Sequence, residues 1–174
     1  MRKAVLFALA IAMAAPVTAK PTVTVGFSPS APQDALQLVL STIKSANRSV
    51  DVAAYSFTSK PVAAALVAAK NRGVSVRVVA DEKANSSQYT AITFLANKGV
   101  TVRLNGRYAI MHNKFMIVDG DTVQTGSFNY TASAVSRNAE NVLLIQDAPE
   151  LAAMYQGEFN RLWNESRQIE SRYW

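Results

Sequence analysis

Strand-like and helix-like segments alternate through the first two thirds of this chain, and that alternation restricts the fold more than any other feature. Thr22 to Phe27 alternates β-branched and apolar residues, and the breaker run Ser28-Pro29-Ser30-Ala31-Pro32 ends it. Leu36, Val39, Leu40 and Ile43 follow at helical spacing. Val50 to Phe57 reads as a strand, and Ser59 followed by Pro61 opens a helix with Val62, Leu66 and Ala69 on its apolar side and Gly73 at its stop. A buried strand over Val74 to Ala80, a short helix over Gln88 to Asn97, a Lys98-Gly99 turn and a strand over Val100 to Leu104 continue the pattern. Such units favour right-handed crossovers, so the expected fold class is α/β: a mixed, mostly parallel sheet flanked by helices on both faces.

The last third changes character. Lys114 to Val118 and Thr122 to Thr125 are strand-like runs joined at Asp119-Gly120-Asp121, where an Asp-Gly pair signals a hairpin. Glu140 to Gln146 is the last expected strand, and Leu151, Tyr155, Phe159 and Leu162 give a closing helix its apolar stripe. No internal repeat, low-complexity run or linker divides the chain, and 174 residues suit one domain.

That domain is expected over residues 20–174. Arg2 and Lys3, the apolar run Ala4 to Ala15 and the small residues of Pro16-Val17-Thr18-Ala19 have the form of a cleaved export signal over residues 1–19, implying a periplasmic or secreted protein. The run falls short of the ~20 apolar residues of a membrane span. Without Arg2 and Lys3 the 18 basic residues become 16 against 12 acidic ones, a net charge of +4, which favours phosphate polymers or anionic lipid surfaces. There are no cysteines, so no disulfide supports the fold and the core alone must.

Chemistry concentrates between Met111 and Asn129, where the only histidine stands beside a lysine, a serine and an asparagine, groups suited to phosphoryl transfer without a metal. Alternate residues of a strand share a face, so His112 and Lys114 would point the same way with Cα atoms ~6.5–7 Å apart, room for one phosphate. A turn at Asp119-Gly120 would set Ser127 opposite His112 and Asn129 opposite Ile110. A turn at Gly120-Asp121 would set Ser127 opposite Lys114 and Asn129 opposite His112. Asp119, on the order of 20 Å from His112 along a straight strand, is expected to fix the hairpin and not to touch phosphate. Gly126 would permit close backbone approach. The second ring nitrogen of His112 needs an acceptor to select its tautomer, and Glu140 is the candidate.

Written as a pattern, the segment reads H-x-K, four residues, D, six residues, G-S-x-N. This resembles the signature of the phospholipase D superfamily, and Ala54-Tyr55-Ser56-Phe57-Thr58 and the strand Val74 to Asp81 are also similar to its smaller members. The resemblance implies a two-step mechanism in which one histidine forms a phosphohistidine and another protonates the leaving oxygen and then activates water. The chain carries H-x-K once, so a homodimer with His112 of both chains near the two-fold axis is the expected partner arrangement, with Lys114, Ser127 and Asn129 of both chains on the non-bridging oxygens. A downstream acidic residue in such proteins is similar in place to Glu140.

Among single-motif, exported members the likeness is to the small bacterial endonucleases of the Nuc type. DNA, with RNA beside it, is therefore the first expected substrate. A phospholipid diester is the alternative, for which the sequence offers no apolar rim outside residues 1–19, and a non-catalytic nucleic-acid-binding protein is the second alternative, against which the intact motif speaks. Tyr108, Phe128 and Tyr130 suit bases or a core, and Arg103, Arg107 and Arg137 suit phosphates or plain surface. Asp81-Glu82-Lys83 ends a strand at a place where sites are common in parallel sheets, or is a solvated loop. No cofactor is expected. One histidine, no cysteine and no calcium-loop pattern leave no expected metal site.

Overall fold

The computed structural model describes residues 20–30, 34–87 and 90–169, so the expected export signal lies outside the described residues, as do Gln88 and Tyr89. Strands β1 (Thr22–Ser28), β2 (Ser49–Ala54), β3 (Ser75–Asp81) and β4 (Thr101–Asn105) alternate with helices α1 (Asp34–Ser45), α2 (Lys60–Asn71) and α3 (Ala91–Asn97). β5 (Phe115–Val118), β6 (Thr122–Gly126), α4 (Ala132–Ser136), β7 (Glu140–Gln146), α5 (Pro149–Asn164) and β8 (Arg167–Gln168) complete the chain. Local chemistry sets several of these limits. Ser59 Oγ accepts the Val62 N–H at the start of α2 with Pro61 in its first turn, and Gly73 leaves the helix at φ +94°.

The strands form one mixed sheet in the order β1-β7-β6-β5-β2-β3-β4-β8, with helices on both faces as expected. Parallel pairing is confined to β2, β3 and β4, less than the alternation alone implied. The reason is topological. β1 runs in the same direction as β2, but the antiparallel strands β5, β6 and β7 lie between them. Alternation fixes the direction of a strand and not its neighbour.

Each face of the sheet has its own core. Val52 and Val78 lie beneath α1 and α2 with Val39, Ile43 and Leu66, while Ala53, Val79, Ile117 and Val123 face Ala152, Phe159 and Leu162 of α5. Each fully buried large side chain here contributes about 1.5–3 kcal/mol.

Several expected limits change. The second strand stops at Ala54, and Phe57 instead bridges Tyr130, whose carbonyl accepts the N–H groups of Thr58 and Ser59. The strand expected from Lys114 starts at Phe115, so His112 and Lys114 precede it in irregular backbone. Helix α4, capped by Thr131 Oγ1 on the Ala134 N–H, and strand β8 carry no strong sequence pattern and were not expected.

The hairpin departs from both expected registers. Asp119 and Gly120 take φ +54° and +76°, and the Val118 carbonyl accepts the Asp121 N–H, as an Asp-Gly turn requires. Asp121 is then extruded, with its carbonyl bonded to the Ala148 N–H, and pairing resumes with Val118 opposite Thr122. The extra residue places Phe115 opposite Thr125, midway between the two alternatives.

Candidate active site

The end of β2, the start of β5, the end of β6 and the start of β7 meet along one rim of the sheet. His112, Lys114, Gly126, Ser127, Asn129 and Glu140 line a pocket of about 490 Å³ there, completed by Asn113, Phe115, Thr125 and Tyr155. Of the motif residues and Glu140, only Asp119 stands away from this pocket. Gly126 is required where it stands. Its φ is +145°, and a Cβ there would come within 2.2 Å of the Asn141 carbonyl oxygen.

His112 is exposed, and its ring meets Tyr55 edge-on at 4.7 Å between centroids. Lys114 is buried, donates from Nζ to the His112 carbonyl at 2.6 Å and holds its charge 5.3 Å from the centre of the Tyr55 ring. Burial pulls the Lys114 pKa below the ordinary lysine value, and the nearby Glu140 charge partly opposes that fall. Ser127 Oγ donates to Glu140 Oε2 at 2.5 Å and accepts the Asn141 N–H, while Glu140 Oε1 accepts from Asn138. Asn129 Oδ1 is buried without a hydrogen-bond partner. Among the described residues no three His, Cys, Asp or Glu side chains gather as metal ligands would.

Residues 39–163 match the family described as cardiolipin synthase, PLD-like domain. The fold also matches the crystal structure of a phospholipase D family member, Nuc from Salmonella typhimurium, with a TM-score of 0.84 and 42% identity over 87% of this chain and 100% of that one. The chain belongs to the phospholipase D superfamily. NucT from Helicobacter pylori is similar at a TM-score of 0.79 and 26% identity, covering 86% of this chain and 100% of that chain. Curated relatives include the mitochondrial cardiolipin hydrolase of Xenopus tropicalis, 39% identical over 69% of this chain and 57% of its own length, and the phospholipase D of Rickettsia bellii, 36% identical over 71% and 61%. The chain therefore spans about three fifths of those curated relatives.

Within the superfamily motif, the aspartate has a clear structural place. The Asp119 carboxylate accepts the backbone N–H groups of Asn47, Arg48 and Ser49 at 2.9, 2.7 and 2.9 Å, tying the hairpin to the turn between α1 and β2. Burial is the largest single influence and raises its pKa, but the three amides and the Arg48 charge together outweigh it and hold the group below the ordinary carboxylate value. Asp119→Asn should cost about 1–3 kcal/mol in urea unfolding while leaving turnover nearly unchanged. A depressed carboxylate stabilises the fold above its unfolded pKa and loses that contribution as pH falls through its folded value. The gap between wild type and variant should therefore close in acid.

The role expected for Glu140 changes. Its oxygens are taken by Ser127 and Asn138, and no hydrogen bond joins it to the His112 ring. Glu140 opens β7 beside the end of β6, which brings it to the serine first. Phe128 and Tyr130 are core residues, the latter donating from its phenol to Gln124, and cannot stack on bases. Tyr108 joins Arg161 and Glu165 in a surface network. Arg103 packs on Trp163, Arg107 lies 4.0 Å from Glu165, and Arg137 is exposed. Asp81 is no solvated loop residue, being 1% exposed.

Two features were not assigned from sequence. Tyr55 packs on the His112 ring and beneath the Lys114 charge, and its position just after a parallel strand and before a helix was the available signal. The sequence also did not reveal which apolar side chains stay exposed: Val23, Val25 and Phe27 of β1 are 58%, 48% and 58% exposed, and Ile110 and Met154 are 50% and 74% exposed. The alternation in β1 looks like any half-buried strand. Only its edge position, with α5 lying across β2 to β6, leaves the outer residues uncovered.

Proposed function

We propose that the chain is an exported phosphodiesterase that cuts DNA, and RNA beside it, with little sequence preference, through a phosphohistidine at a site shared by two copies. The observation that carries this reading is the convergence of His112, Lys114, Ser127, Asn129 and Glu140 on one pocket. A ring nitrogen of His112 attacks phosphorus, forming the P–N bond as the P–O bond to the leaving strand breaks, and His112 of the second copy gives that oxygen its proton. The second histidine, now neutral, takes a proton from water, which attacks the phosphohistidine, breaks the P–N bond and returns the first imidazole. Lys114, Ser127 and Asn129 from both copies hold the non-bridging oxygens, with the phosphate displacing Glu140 from the Ser127 hydroxyl. Lys114 supplies the buried positive charge, so the reaction needs no metal. Cleavage of residues 1–19 frees the enzyme for the periplasm or medium.

The outer face of β1 supports the shared site. Val23 and Val25 pair with Ile145 and Leu143 of β7, and Leu143 pairs with Thr125 of the pocket, so one apolar face runs from the sheet edge to the site. A two-fold contact there would cover it and bring two pockets together. Val25→Asp and Phe27→Asp alter exposed side chains only, and in sedimentation and activity assays each should give a folded monomer without turnover. A dimer that persists in both variants would contradict the interface.

Exposed Ile110 and Met154, two residues before His112 and one before Tyr155 in the chain, with relatives named cardiolipin hydrolase and phospholipase D, favour phospholipid as the second reading. Plasmid, single-stranded RNA, and vesicles of cardiolipin or phosphatidylcholine, incubated in parallel with and without chelator, separate the two. Nicked plasmid at undiminished rate in chelator is expected. Lipid hydrolysis with intact nucleic acid would move the substrate to phospholipid, and magnesium-restored activity would overturn the metal-free mechanism.

A further inference from the structure

We infer that Asp81 and Asn85 are positioning residues for His112, fixing the backbone that carries the imidazole and the ring it leans on, although neither lines the pocket. The inference rests on reading His112 as the nucleophile. Asp81 closes β3 and has no ion-pair partner among the described residues. A buried carboxylate in that position must be offset by hydrogen bonds. Its two oxygens are satisfied by backbone alone: Oδ1 accepts the Ala84 N–H at 2.7 Å and Oδ2 the Met111 N–H at 2.8 Å. Met111 is the residue before His112 and is itself buried, so the chain entering the nucleophile hangs from this carboxylate on one side and from the α5-side core on the other.

Asn85, also buried, holds the residue whose ring packs on His112. Its Nδ2 donates to the Tyr55 carbonyl at 2.7 Å and to the Asp81 carbonyl at 2.8 Å, and its Oδ1 accepts the Phe57 N–H at 3.0 Å. The Tyr55 ring then touches His112 and faces the Lys114 charge. Bonds from the linked pair therefore end on Met111 and Tyr55, one adjacent to His112 in the chain and the other packed on its ring. Irregular backbone carries His112 where a strand ladder would otherwise fix it, and these two side chains take over that role.

Asp81→Asn keeps the size of the side chain but replaces one acceptor by an NH₂ donor, so it can satisfy only one of the two amides. The expected result is a kcat lower by about 10–100-fold with KM nearly unchanged. The imidazole resonances of His112, unique in the NMR spectrum of a chain with one histidine, should shift or broaden. Asn85→Ala should change the same two readings through Tyr55. Asp51→Asn is the control, since Asp51 is a buried carboxylate bonded to Arg77 and Gln156, and its loss should lower Tm without moving the ring signal or kcat. A folded Asp81→Asn protein with wild-type kcat and ring signal, or with a lowered Tm alone, would overturn the inference. If that variant does not fold, Asn85→Ala decides by the same measurements. The ring signal needs no substrate, so a protein that proves inactive on every diester would defeat the proposed function and leave this test standing.

Discussion

His112→Asn should lower turnover by about 10⁴-fold or more on any diester the enzyme cleaves, because the variant removes the nucleophile from one chain and the acid from its partner at once. The fold should survive. The residue is exposed and its ring packs edge-on against Tyr55, so stability should stay within about 0.5–1 kcal/mol of wild type. Single-turnover rates together with thermal melts check both halves. Turnover comparable to wild type would remove His112 from the chemistry.

Lys114→Ala ranks second, with kcat expected to fall by about 10²–10³-fold and substrate binding weakened as well. The lysine is 8% exposed, and its charge lies between the His112 carbonyl, the Tyr55 ring and the pocket it lines. Because burial lowers its pKa, the positive charge is lost at a lower pH than for an ordinary lysine, and activity should fall on the alkaline side accordingly. The negative Glu140 supports the proton on Lys114, so Glu140→Gln should move that alkaline limb to still lower pH. An alkaline limb unmoved by Glu140→Gln would show that Lys114 does not set it.

Much of this site was legible in the sequence because its residues lie in one short stretch. Spacing set His112, Lys114, Ser127 and Asn129 near one another and Asp119 apart, and the four line one pocket while the Asp119 carboxylate holds backbone amides, although the strand face and registers assumed for them do not occur. The hairpin register was not legible. Whether Asp121 pairs or is extruded depends on the Ala148 amide and on the turn into α5, contacts that no local pattern carries. Sheet order was hidden for a related reason, since three antiparallel strands enter between β1 and β2 without altering the alternation that suggested parallel neighbours. Glu140, Tyr55 and Asp81 show the same limit at the level of single side chains. Each lies at the end of a strand or just beyond it, but its partner is chosen by segments distant in sequence.

In the proposed mechanism one phosphate is processed by two His112 side chains from different subunits. Wild-type and His112→Asn chains refolded together in varied proportions test it directly, because a mixed dimer lacks either the nucleophile or the acid. With complete exchange, activity should follow the square of the wild-type fraction and fall to about a quarter at equal amounts. A straight line through the titration, with about half the activity at equal amounts, would mean that each chain acts alone and would contradict the shared site.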